Sequence, residues 1–288
     1  MGIRGIIYLK VVIVTSSISC LPHDRVRRYG IKVVPVPFML NGHSYLDGVD
    51  ISATEVYEQL AYEYPFRTSA PSPGDYLKAY QEVLKEHNAI LCLTVPSKIS
   101  MMYDSACSAA KQMASDAIIR VLDTGTAAGG QALIDMAAAE AASSGAALEE
   151  ITQLIANLKD KVRLYGLIVA SRYLARTGRV PSPLPSAASA LSIKPVFTIS
   201  QGKIKLVGLV RTEKSGVDRM LSLMHADVAE NPVRVIVQHA NAPQQAENLR
   251  QRVEAEFNCI ELRVTEFSPI IGFATGPGCL ALAFCAED

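Results

Sequence analysis

Short β-branched runs alternate with helical patterns through the first half of this chain, and that alternation limits its folds more than any other feature. The runs cover residues 11–14, 31–38, 90–95 and 117–122, and helical patterns cover 53–62, 74–87, 101–115 and 127–143. A strand repeatedly followed by a helix demands crossover connections, which give a mostly parallel sheet buried on both faces. Two helix starts carry reciprocal caps. They are Ser52-Ala53-Thr54-Glu55 and Ser72-Pro73-Gly74-Asp75, the second with proline at the first helical position.

The pattern breaks at Ser143-Ser144-Gly145, and a helix follows over 148–159. Strands are then predicted at 165–170, 196–200, 203–210, 233–239, 260–264 and 280–284, with helices at 216–229 and 243–257. Gln201-Gly202 between two of these strands reads as a tight hairpin, an antiparallel device. The expected fold class is α/β with two domains. Residues 1–150 form the first, with a mostly parallel sheet flanked by helices. Residues 151–288 form the second, α/β with a mixed or antiparallel sheet.

Composition narrows the function classes. Of 288 residues, 49% are hydrophobic and 19% charged, so a sizeable core is available and a disordered chain is not expected. Twenty-eight Lys+Arg balance 28 Asp+Glu, which leaves no basic footprint for nucleic acid or for an anionic membrane surface. The apolar stretch after Gly5 is interrupted by Lys10 and ends at Thr15-Ser16-Ser17. It reads as a buried strand rather than a signal peptide, and Ile6 spoils a myristoylation motif after Met1-Gly2. With no run long enough to span a bilayer, a soluble cytoplasmic protein is expected. Six scattered cysteines without a C-x-x-C read as buried free thiols of a reducing compartment.

Motifs for cofactor and metal chemistry do not occur. Gly125-Thr126-Ala127-Ala128-Gly129-Gly130-Gln131 has P-loop glycine spacing but no lysine, no strand is followed by G-x-G-x-x-G, there is no G-x-S-x-G, and five scattered histidines make no H-E-x-x-H. No cofactor and no metal are expected. Hydroxyls gather instead at junctions leading into helices: Thr68-Ser69-Ala70-Pro71-Ser72, Ser97-Lys98-Ile99-Ser100 and Thr124-Gly125-Thr126. At the carboxyl ends of parallel strands such loops line the binding crevice, and helix N-termini there favour an anion. Two readings stand side by side: helix caps, or a neutral cradle for one small anion. With only Lys98 among these loops, a single carboxylate suits the cradle better than a polyphosphate. Arg172, Arg176 and Arg179 are the cluster that offers a cation, or else a solvated helix face.

Taken in order, several segments resemble the DegV family of bacterial fatty-acid-binding proteins. They include Val33-Val34-Pro35, Asn41 through Ile51, Thr68-Ser69-Ala70-Pro71-Ser72-Pro73-Gly74 and Ser97 through Tyr103. Tyr173 through Arg179, Ile193-Lys194-Pro195 and Thr275-Gly276-Pro277-Gly278 continue the series. The resemblance implies a two-domain α/β fold that buries one long-chain fatty acid in the first domain, the second completing the head-group site, with no chemistry of its own. It implies that Thr68 and Ser100 hold the carboxylate, that Arg179 sits near it, and that Ser97, Ser69, Thr275 and Gly276 are secondary candidates. It further implies a separate fatty-acid kinase as partner. This chain departs from the pattern at Ser16 and Cys20, where the family carries acids, and at Met101-Met102. It departs again at Ala274, where the family has a histidine beside the head group. The last change weighs against hand-over to a kinase more than against binding. The rival expectation is a serine-dependent acyl hydrolase built on Ser100, which would need a base that the matched motifs lack. A binder of another small carboxylate or phosphate is the third reading.

Overall fold

The computed structural model describes residues 10–60, 65–114, 117–169 and 193–287. Its first half holds a four-stranded parallel sheet, with β1 (Val11–Ser16), β2 (Lys32–Val34), β6 (Ala89–Thr94) and β7 (Ile118–Asp123) in the order β2-β1-β6-β7. A small antiparallel sheet, β4-β3-β5, is made by β3 (Pro37–Leu40), β4 (His43–Leu46) and β5 (Phe66–Thr68). The second half supplies β8 (Arg163–Leu167), β9 (Lys194–Ser200), β10 (Lys203–Val210), β11 (Val233–His239), β12 (Cys259–Glu266) and β13 (Leu280–Ala286). They form a six-stranded sheet, β10-β9-β8-β13-β11-β12. Only β11 and β12 pair in parallel, so this sheet is mixed.

The helices are α1 (His23–Tyr29), α2 (Ala53–Leu60), α3 (Pro73–Val83), α4 (Met102–Gln112), α5 (Ala128–Ser143), α6 (Leu148–Lys161), α7 (Glu213–Val228), α8 (Pro243–Glu256) and α9 (Pro269–Thr275). The expected two-part α/β architecture is therefore the observed one. A division near residue 150 would fall in the first turn of α6.

Period-2 alternation explains the layering. Along β1, Val12 and Val14 pack with Tyr76 and Tyr80 of α3 and with α4, whereas Val11 and Ile13 face the opposite way, into the core that holds α5. Along β13, Leu280, Leu282 and Phe284 meet α7 and α8, while Ala281, Ala283 and Cys285 face α5. Helix α5 is thus covered by a sheet on each side, and its residues 128–136 are buried without a break. Small residues let the layers close up. A side chain at Gly129 would collide with Ala283 and Gln238, and the Gly129 N–H donates to Gln238 Oε1 at 2.5 Å.

One expected element splits. The run 31–38 is not a single strand: β2 joins the parallel sheet and β3 the small antiparallel one. Pro35 and Pro37 interrupt the ladder donors between them, which ends one strand and begins another. Both expected caps are present. The Glu55 N–H donates to Ser52 Oγ at 3.3 Å and the Ser52 N–H to Glu55 Oε2 at 2.9 Å, and Ser72 and Asp75 repeat the pattern. The hairpin turns at Gln201 and Gly202, with φ of 53° and 71°, as a two-residue turn with both φ positive requires.

Candidate functional site

An apolar cavity opens where the carboxyl ends of the parallel strands meet the inner face of the six-stranded sheet. Its cavity volume is ≈ 200 Å³. The first half contributes Ile18 after β1, Val95 and Ile99 after β6, Met102, and Ala127 and Ala128 at the start of α5. The second half contributes Leu164 and Gly166 of β8, Ile168 just after it, Phe197 and Ile199 of β9, and Ile204 of β10. Helix α9 closes another side with Ile270, Ile271, Ala274 and Thr275. Among the described residues, no Asp, Glu, Lys, Arg or His side chain lines this space.

The fold brings together sequence-distant hydroxyls. Thr68, Ser69, Ser100 and Thr275 all line the cavity. Thr68 ends β5, in register with Phe38 of β3, and the Ser69 N–H donates to Pro37 O at 3.3 Å, which sets the loop before the Ser72 cap. Ser100 precedes α4, and its Oγ accepts from the Met102 N–H at 3.4 Å, so its own hydrogen is left to donate. Thr275 differs: its hydroxyl donates to Ile271 O at 2.9 Å, one helical turn back, which leaves lone pairs rather than a donor for a ligand.

The remaining candidates stand elsewhere. Ser97 is exposed, outside the cavity lining, and both its N–H (2.9 Å) and its hydroxyl (3.1 Å) donate to Asp123. Gly276 ends α9 at φ 82°, with its N–H on Gly272 O at 2.7 Å. Thr124 donates to Thr94 O at the end of β6 and to Thr126 O in its own loop. Arg172, Arg176 and Arg179 lie outside the described residues. Phe273 stacks on Phe66 at 4.3 Å between ring centroids, and Phe66 stacks on Phe38 at 5.1 Å, so an aromatic column ties α9 to the sheet that carries Thr68.

The N-terminus of α9 is fixed from the first half. Ser268 accepts from the Ile270 N–H at 3.3 Å and donates to Asp47 Oδ2 at 2.6 Å. Burial pushes the Asp47 carboxyl above its ordinary range, and hydroxyl bonds from Ser17 and Ser268 pull it back. Cys279, on the cavity wall, is a free thiol pushed by burial to about 12, which keeps it protonated and inert. The wall residues of β8, β9 and β13 were not singled out by sequence reasoning. An apolar residue facing a cavity and one facing a helix share the same period.

A sequence profile described as "Uncharacterised protein, DegV family" matches residues 10–287. A DegV domain-containing protein of Caldanaerobacter subterraneus is 30% identical over 261 residues, covering 90% of this chain and 90% of its own. One from Streptomyces coelicolor is 29% identical over 274 residues, covering 94% and 97%. Among solved structures, a DegV family protein from Thermus thermophilus, described by its fatty acid binding, superposes with a TM-score of 0.89 at 28% identity, covering 96% of this chain and 99% of its own. With the cavity and its hydroxyl loops in place and a family match across nearly its whole length, the chain belongs to the DegV family.

Proposed function

We propose that this protein binds one long-chain fatty acid non-covalently, with the acyl chain in the apolar cavity and the carboxylate on the hydroxyls of Thr68 and Ser100. The observation that carries this reading is a cavity with aliphatic and aromatic walls into which hydroxyl loops from two separate junctions converge. The fatty acid binding described for the Thermus thermophilus relative supports it. Each buried CH₂ contributes about 0.8 kcal/mol, so roughly fourteen give about 11 kcal/mol gross, against about 1.5–3 kcal/mol for one charged hydrogen bond. The chain therefore dominates affinity, while the hydroxyls set orientation. We read the site as a binding site rather than an active one. Ser100 has no imidazole or carboxylate beside it in the lining to take its proton.

The expected result of Thr68→Val or Ser100→Ala is a loss of about 1–3 kcal/mol in fatty-acid affinity each, not additive because one anion is shared. Fatty-alcohol affinity should change much less. Calorimetric titration of both ligands against both variants checks this. Wild-type affinities throughout would leave these hydroxyls as helix caps only.

Presentation of the acid to a separate kinase is the finer step of this proposal, and Ala274 bears on it. Its methyl lines the cavity wall and offers no hydrogen bond to a head group. Poor acyl-phosphate formation with a fatty-acid kinase and ATP is expected for wild type, with a gain for Ala274→His. Efficient turnover of the wild type would refute it.

A further inference from the structure

Glycine inside a strand weakens it and needs a reason. Elsewhere among the described residues the reasons are visible, apart from Gly74 in the first turn of α3, and at the other strand glycine, Gly208 of β10, a side chain would come within 3.2 Å of Arg219. A side chain at Gly129, Gly130, Gly216 or Gly272 would strike protein atoms, and Gly30, Gly42, Gly48, Gly125, Gly145, Gly202, Gly276 and Gly278 have positive φ. Gly166 fits neither group. It stands mid-way along β8 without a positive φ, and a Cβ built there comes no nearer than 3.9 Å to any protein atom, the Leu280 carbonyl oxygen.

Where that Cβ would stand follows from the register. Leu164 and Gly166 of β8, and Ile168 just after it, alternate onto the cavity side. The cross-strand partners of Gly166 are Phe197 on β9 and Ala281 on β13, and both line the cavity as well. Gly166 and Ala281 together form a shallow trough across two neighbouring strands, bounded by Leu164, Ile168 and Phe197. No protein atom fills it, and neither backbone strain nor packing requires it.

We propose that Gly166 is a specificity-determining residue, which keeps a trough open for the acyl chain and thereby sets how long a chain the cavity accepts. This rests on the fatty-acid reading above. A side chain at 166 would project into space the ligand uses and would touch little else. Its effect should therefore grow with ligand length, and the ligand-free protein should be no less stable for it.

The test is a graded series, Gly166→Ala and Gly166→Val. Each is titrated with octanoic, decanoic, palmitic and stearic acids, and the thermal midpoint of delipidated protein is measured alongside. Gly166→Val should lose about tenfold or more in affinity for palmitic and stearic acids, while octanoic and decanoic acids stay within about threefold of wild type. Gly166→Ala should fall between, and both midpoints should equal or exceed that of wild type. Unchanged stearic-acid affinity in Gly166→Val would overturn the proposal. So would an equal loss at every chain length together with a lowered midpoint, because that pattern marks a structural role. If wild type binds none of the four acids, the fatty-acid reading itself fails, and that result is distinct from either outcome for Gly166.

Discussion

Asp135→Asn should stabilise the protein at pH 8 by several kcal/mol and remove most of the pH dependence of its stability between pH 5 and 8. Asp135 lies on α5, fully buried between the two sheets. Its Oδ2 accepts from Thr15 Oγ1 at 2.7 Å, Thr15 in turn accepts from Gln131 Nε2 at 3.0 Å, and Asp135 Oδ1 has no partner. Burial pushes this carboxyl up to about 8, against a weaker pull downward from the Thr15 and Ser19 hydroxyls. An unfolded aspartate titrates near 3.9. Between those two values the folded protein holds a proton that the unfolded chain has released, so stability is greatest below about pH 4 and is lost as pH rises towards about 8. The slope approaches about 1.4 kcal/mol per pH unit, which accumulates to roughly 4 kcal/mol or more by neutral pH. Asparagine keeps an acceptor for Thr15 and cannot ionise. Urea unfolding of both proteins at pH 5, 6.5 and 8 reads the effect. Parallel stability profiles would show that Asp135 is not the titrating group.

Gly272→Ala should destabilise the protein by roughly 2–4 kcal/mol, against the gain of about 1 kcal/mol that alanine usually brings to a helix. Gly272 is inside α9, and the added methyl would overlap the hydroxyl and ring edge of Tyr57 on α2. Tyr57 is only 3% exposed and its hydroxyl donates to Phe267 O at 3.2 Å, so it has no open space to move into without losing that bond. The cheaper relaxation is to push α9 away from α2. Because Ile270, Ile271 and Ala274 line the cavity, acyl-chain affinity should drop along with stability. Combining the change with Tyr57→Phe, which removes the nearest clashing atom, should recover part of the loss. A Gly272→Ala protein at least as stable as wild type would contradict this packing.

The alternation of strand and helix was legible because most strand runs are continuous and two of the helix starts, at Ser52 and Ser72, are marked by side-chain caps. The small β4-β3-β5 sheet was not, since 31–38 reads as one β-branched run unless Pro35 and Pro37 are taken as breaks. Helix α9 escaped notice because its seven residues give too short a window for periodicity, even with Ser268 and Pro269 marking its start. At the site, the resemblance singled out Thr68 and Ser100, whereas the residues alone left helix caps and an anion cradle as equal readings; the structure places both on the cavity lining. Gly166 and Ala281 could not, because small residues in a strand look the same whether they face a helix or a ligand. Asp135 was hidden for the opposite reason. An acid in an alanine-rich helix suggests a solvent face, as Glu140 on the same helix has, and only the sheets on both sides of α5 reveal the burial of Asp135.

The most direct measurement of the central claim is native mass spectrometry of the purified, non-delipidated protein, followed by solvent extraction and identification of whatever is released. The account predicts a mass above that of the bare chain by one fatty acid of about fourteen to eighteen carbons, at roughly one per protein. The bound molecule should dissociate without covalent cleavage. Protein at its bare mass that takes up no such acid after incubation with it would contradict the account.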